Sequence, residues 1–216
     1  MCDQPCISLD QAIQIAVAVG TVAVAILAIW GDRVRHLFGL GPRLHVSLDD
    51  PEGESIAIAE GAGRSTPARY YHIRVKNSHR WSQATNVRVV IVGLSRPAAD
   101  GTLAPQPLSG PLQLMWRFSA FHPNYSTVGP DDIADLGFMK KGKAFILTPF
   151  VTPANFRGSL ARNERLQVVV QATADNAESK PITIDVNWDG MWADDATDMA
   201  KHLVVRQVKA PHHAKA

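Results

Sequence analysis

The pattern of apolar and polar positions divides the chain in two. From Ala12 to Trp30 the sequence AIQIAVAVGTVAVAILAIW carries no charge, and Gln14 and Thr21 are its only polar interruptions. A helix of that length, rising about 1.5 Å per residue, spans about 30 Å, the thickness of a bilayer's hydrocarbon core. From Arg43 onward the apolar period changes from helical to alternating, which predicts strands. Tyr71, Ile73 and Val75 alternate with His72, Arg74 and Lys76; Leu112, Leu114, Trp116 and Phe118 alternate with Gln113, Met115 and Arg117. The same period places Leu166, Val168 and Val170 on one face, and Ile182, Ile184, Val186 and Trp188 on another. Val87–Val92 is apolar almost throughout, as expected of a central strand covered on both faces. Leu44–Leu48, Ala134–Met139 and Ala144–Phe150 complete a set of seven or eight strands, and Gly, Pro, Asn and Asp clusters separate them. One short helix is expected, capped by Asp194 or Asp195 and running to about Leu203, with acidic residues early and Lys201-His202 late. The expected fold is therefore mainly β: an amino-terminal transmembrane helix, an antiparallel two-sheet sandwich and one short carboxyl-terminal helix.

The divisions follow: a tail over 1–11, the span over 12–30, a basic linker over 31–42, the β-domain over 43–207 and a disordered tail over 208–216. A cleavable signal would need a basic leader and a small-x-small processing site. Asp3 and Asp10 precede the run instead, and bulky Ile29-Trp30 closes it. Arg33, Arg35, His36 and Arg43 all follow the span, so the positive-inside bias predicts an outward amino terminus and a cytoplasmic β-domain. The segment RVRHLFGLGP reads equally as a surface-lying stretch against lipid phosphates or as a tether ended by Gly39, Gly41 and Pro42. Ala12, Ala16 and Gly20 share one helix face and would permit a weak homodimer through the membrane helix.

The stretch YYHIRVKNSHRWSQATNVRVVIVGL, with TVGPDDIADLGF further on, resembles the immunoglobulin-like modules of bacterial surface and membrane proteins. The inter-sheet cysteine pair of antibody domains is absent, so the resemblance implies the general sandwich alone. The whole chain resembles bacterial single-span membrane proteins that carry such a domain after an amino-terminal anchor. That likeness implies architecture and no activity.

Composition narrows the chemistry. A net charge of +2 over 216 residues, with both signs dispersed, leaves no footprint for nucleic acid. Both cysteines, Cys2 and Cys6, precede the span, and their spacing is too short and isolated for zinc. Asp185-Val-Asn187-Trp-Asp189-Gly190 matches the opening of a calcium loop, but Ala196 stands where a bidentate Glu belongs. A strand with a solvent-facing Asp185, followed by an Asp-Gly turn, accounts for the same residues. Asp131, Asp132 and Asp135 read as a turn with a solvated acidic face. His72, His79 and His122 are expected near strand ends or loops. The chain has no nucleophile elbow, zinc-protease helix or phosphate loop. His212-His213, on the final tail, reads as inert.

No catalytic, cofactor-binding or metal-binding residue is therefore assigned. The expectation is a non-enzymatic interaction module held at the membrane, its bilayer contact made by residues 12–30. Loops over Pro97–Pro111 and Ser119–Pro130, or a sheet edge, would meet a protein partner. Two other readings remain. One is an envelope carbohydrate or ligand-binding domain using Trp81, Tyr125 and Trp192; the other is a metal-dependent hydrolase built on Asp185–Asp198.

Overall fold

A computed structural model describes residues 8–37, 41–61, 63–79, 82–117, 126–128 and 131–208. The chain forms two compact units that divide after Gly41. The described residues of the first hold one helix, α1 (Leu9–Leu37), which continues past Trp30. It opens with a reciprocal cap: Gln11 N–H donates to Ser8 Oγ at 3.3 Å, and Ser8 N–H donates to Gln11 Oε1 at 3.2 Å. Thr21 returns its hydroxyl to the Val17 carbonyl at 2.8 Å, so the helix satisfies its own polar side chain.

In chain order the second unit runs β1 (Leu44–Leu48), β2 (Glu54–Ala59), β3 (Ser65–Asn77) and β4 (Ala84–Pro97). The short strands β5 (Leu103–Pro105), β6 (Leu112–Gln113), β7 (Met115–Trp116) and β8 (Ser126–Val128) follow. Then come β9 (Asp131–Lys140), β10 (Phe145–Leu147), β11 (Ser159–Leu160), β12 (Glu164–Thr173) and β13 (Ile182–Trp188). The unit closes with α2 (Ala196–His202) and β14 (Leu203–Val208). Among the described residues these strands make two antiparallel sheets. One is ordered β1-β3-β9-β10-β11, with β2 also on β3 and β7 also on β9. The other is ordered β14-β13-β12-β4-β5, with β6 and β8 also on β4.

One core lies between the sheets. Tyr71, Ile73 and Val75 meet it from the first, and Val89, Ile91, Leu166, Val168, Ile184 and Val186 from the second, all buried. The alternation expected for β3, β12 and β13 is therefore the core-facing set. Asp195 caps α2 by accepting from Asp198 N–H at 3.0 Å, where the sequence places it.

Several elements differ from the expectation, each for a local reason. The apolar run in β4 is a shifted alternation. The β4–β12 register slips between Val169 and Val170, so Val92 becomes the extra residue of a bulge and is 39% exposed. The Leu112–Phe118 pattern holds for the buried Leu112, Leu114 and Trp116, but the chain changes sheets within it. There β6 pairs with β4, and β7 pairs with β9. The proline-rich stretch after Pro97 includes the regular strand β5, paired through Ser95, Arg96 and Pro97. The long Ser119–Pro130 connection contains β8, which pairs with β4; its residues 119–125 and 129–130 lie outside the described ones. Strand β14 was hidden behind α2 in the sequence, because its apolar residues extend the helical run directly. Cys2, Cys6, Phe118, and residues 209–216 lie outside the described residues.

Strands β1 and β2 run one after the other along the same edge of β3, separated by a break at Asp49–Gly53. Asp50 Oδ1 accepts Glu52 N–H at 2.9 Å, and Gly53 takes φ 71°. A Cβ at Gly53 would stand 2.9 Å from the Tyr70 carbonyl, so only glycine fits this turn. Arg69, almost wholly buried, pins the break: its guanidinium donates to the Glu52, Gly53 and Asp194 carbonyls, each at 3.2 Å.

Candidate functional site

Three surfaces carry unusual chemistry. The first is α1 itself. From Leu9 to Gly31 it is long and apolar enough to cross a membrane, and none of the span's described side chains is buried. Val17, Val19 and Ile29, at 64%, 64% and 75% exposure, point in different directions around the axis. A helix apolar on every side needs lipid or other helices around it. Ala12, Ala16 and Gly20 lie at four-residue intervals along it, and the Gly20 Cα faces open space.

The second surface is the outer face of the first sheet. His72 lies in mid-strand on β3, not at a strand end, and is buried. Its Nδ1 meets Asp135 Oδ1 across the β3–β9 pair at 2.9 Å. Glu54 Oε2 lies 3.4 Å from Nε2, outside hydrogen-bond geometry, so Nε2 has no bonded partner among the described residues. Glu54 Oε1 accepts from Arg117 at 2.5 Å. Tyr70 stacks on Phe138 with ring centroids 5.1 Å apart, which closes the cluster on one side. The Asp131–Asp135 carboxylates are therefore not a solvated turn. They stand on β9, with Asp131 on Arg74 at 2.6 Å and Asp135 on His72, and Asp132 accepts from the Ile133 N–H at 2.8 Å. Cross-strand pairing engages Asp131 and Asp135. A histidine–carboxylate pair can serve a nucleophile, but no Ser, Thr or Cys hydroxyl or thiol is hydrogen-bonded to His72 among the described residues.

The third surface is an open groove of about 690 Å³ between the Pro97–Leu112 and Pro153–Arg157 segments. Pro105, Pro107, Pro153 and Phe156 supply apolar walls, and Arg96 and Arg157 supply charge. The Arg96 guanidinium is committed to structure. It donates to Glu164 Oε2 at 3.0 Å, to the Arg157 carbonyl at 2.8 Å and to the Ser159 carbonyl.

The acidic segment near the carboxyl end disperses. Asp185 is not a solvent-facing strand residue: it is 3% exposed, because two arginines cover it. Arg165 binds it through Nε at 2.7 Å and Nη2 at 3.0 Å, and Arg206 donates at 3.2 Å. Asp189 accepts from His202 at 2.7 Å and from Met191 N–H at 2.8 Å. Burial raises its pKa, but the His202 and Met191 bonds and the nearby Arg162 charge outweigh this and hold it below the ordinary carboxylate value. Asp194 takes the Trp192 indole N–H at 2.7 Å and Lys141 at 3.0 Å. Asp198 pairs with Lys201 at 2.6 Å. Among the described residues no three His, Cys, Asp or Glu side chains gather as a metal-ligand group.

Of the aromatics expected at a ligand site, Trp192 is half-buried at the core's rim, and Trp81 and Tyr125 lie outside the described residues. His79 stands in the loop after β3, and His122 is likewise outside the described residues. Sequence reasoning missed Glu54 and Arg117 as partners around His72, since no local motif links positions so far apart. It also missed Phe156 and Arg157 as a groove wall. No protein-family model matches the chain, and no curated protein matches it in sequence.

Proposed function

We propose that the chain is a membrane-anchored, non-enzymatic interaction module, in which α1 fixes an immunoglobulin-like sandwich at a bilayer and a sheet edge or loop receives a protein partner. The observation that carries this reading is the helix exposed and apolar on every side, joined to a unit that already encloses a full core of its own. Tethering concentrates the sandwich near other membrane components and favours binding without new contacts. The cross-strand pairs that occupy His72, Asp131, Asp135 and Asp185 support a non-enzymatic role, because these groups are engaged in holding the sheets.

In this reading the amino terminus lies outside and the sandwich in the cytoplasm, as the arginines after the span favour. A membrane-impermeant thiol reagent on intact cells labels Cys2 or Cys6, while external protease leaves the sandwich whole. Digestion of the sandwich from outside, with no amino-terminal labelling, would reverse the topology.

The groove favours a second reading, an envelope carbohydrate or small-ligand domain. Its volume falls in the range of ligand clefts, and Gln106, Ser109 and Asn155 offer polar contacts beside Phe156. This reading requires the reversed topology if the ligand belongs to the envelope, so the same labelling experiment separates the two.

A further inference from the structure

Among the described residues strand β2 has one unpaired edge, and its chemistry specifies what would fill it. Two hydrogen bonds fix which backbone groups face outward. Glu60 N–H donates to the Arg64 carbonyl at 2.9 Å, so the even-numbered residues of β2 bond to β3. On the other side of β3, Lys141 N–H donates to the Pro67 carbonyl at 2.9 Å, so Pro67 turns away from its partner Ala57. Both parities agree. In an antiparallel ladder the alternate residues then point their N–H and C=O groups off the sheet. These are Ser55, Ala57 and Ala59, and none has a backbone partner among the described residues. On the collinear β1, by contrast, Leu48 N–H donates to Gln207 Oε1 at 3.3 Å.

Exposed edges are usually blunted by lysine, proline or a bulge. Within Ser55–Ala59 there is none, and Ile56 is 38% exposed. Charge sits only at the two ends, on Glu54 and Glu60, whose side chains share the outer face with Ile56 and Ile58. Each has a basic partner within the chain, Arg117 on Glu54 at 2.5 Å and Lys140 on Glu60 at 3.4 Å, yet both carboxylates stay accessible, at 43% and 46% side-chain exposure. A second copy is a poor occupant. Antiparallel self-pairing centred on Ala57 would set Glu54 of each chain against Glu60 of the other, two like-charge pairs.

We infer that the free edge of β2 binds an extended segment of another protein as an added strand, with Lys or Arg at two positions six residues apart and apolar residues two and four places between them. The basic residues lie opposite Glu54 and Glu60, and the apolar ones opposite Ile56 and Ile58. Backbone bonds to Ser55, Ala57 and Ala59 supply affinity, and the alternate side chains supply selectivity. This inference rests on the interaction-module reading and names its surface.

The test uses the full chain in lipid nanodiscs and two labelled synthetic peptides, Lys-Thr-Val-Thr-Val-Thr-Lys and Glu-Thr-Val-Thr-Val-Thr-Glu. The expected result is saturable binding of the first, weakened by salt, and binding of the second about tenfold weaker or worse. On binding, hydrogen exchange slows at the Ser55, Ala57 and Ala59 amides and changes little at Ile56 and Ile58. Ala57→Pro removes an outward N–H that β3 does not use, so it abolishes binding and leaves the melting temperature nearly unchanged. Glu60→Lys narrows the preference between the two peptides without touching the edge backbone. Equal binding of both peptides, or undiminished binding by Ala57→Pro, overturns the inference. If neither peptide binds, photo-crosslinkers at Ala57 and Ser109 separate the two failures. A protein partner captured only through Ser109 overturns the edge and leaves the module. No capture at either position, from membranes of the native host, overturns both.

Discussion

Tyr71 buries its hydroxyl with no protein partner among the described residues, and burial pushes its pKa up. An unpaired buried hydroxyl loses its hydration without compensation, so Tyr71→Phe is expected to be neutral or stabilising by up to about 1 kcal/mol. A thermal melt reads this directly, and a fall in melting temperature would show that the hydroxyl has a partner. The same reasoning with charge gives an acid response. Ala161 N–H and Arg96 hold Glu164 below the ordinary carboxylate value against the opposing effect of burial. His202 and the Met191 N–H do the same, again against burial, for Asp189. A folded pKa below the unfolded one gives stability that is full above the unfolded value, about 4, and is lost as pH falls through the folded value. Through these two groups the melting temperature should therefore change little with pH near neutrality and drop below about pH 4. Glu164→Gln should flatten part of that acid drop. An unchanged acid profile would contradict the assignment. Such pairings were not legible in the sequence. Asp185 reads as a solvent-face residue by alternation, yet Arg165 and Arg206, from both neighbouring strands, bury it. Alternation tells which face a residue takes, whereas the length of its neighbours' side chains decides whether that face is wet.

Elements were legible wherever one period ran uninterrupted. β3, β12 and β13 each present one buried apolar face, and the alternation at Tyr71–Val75, Leu166–Val170 and Ile182–Trp188 reports it. The reading failed where geometry changes inside a pattern. The bulge at Val92 makes an alternating strand look doubly buried, and the passage from β6 to β7 keeps its alternation while changing sheets. Strand β2 and its edge were not among the expected elements, since Ile56 and Ile58 are too short an alternation to mark a strand and a sequence does not say how many neighbours a strand has. Close packing between β9 and β10 yields a prediction at this scale. A Cβ on Gly137 would lie 2.6 Å from the Ile146 carbonyl oxygen and 2.6 Å from the Phe145 ring. Since the carbonyl belongs to the backbone of β10, the strands must separate to admit it. Gly137→Ala should cost about 1–3 kcal/mol. Gly110→Ala meets nothing within 4 Å and should change stability by less than about 0.5 kcal/mol. Chemical denaturation of both variants tests the pair, and equal effects would contradict the β9–β10 contact.

The whole molecule joins a helix that needs an apolar surround to a sandwich that needs none. That division was the most legible feature of the sequence, because length and lack of charge mark a helix that could span a membrane. Its functional consequence depends on whether the helix is retained. A retained span keeps the sandwich beside a bilayer, whereas a processed leader would release it and remove the basis for a tethered module. Alkaline carbonate extraction of native membranes, followed by intact-mass analysis of the chain, therefore tests the central claim. The account predicts a carbonate-resistant chain that still carries Leu9–Gly31. Recovery of the full-length chain in the soluble fraction, or of a chain cleaved after the span, would contradict it.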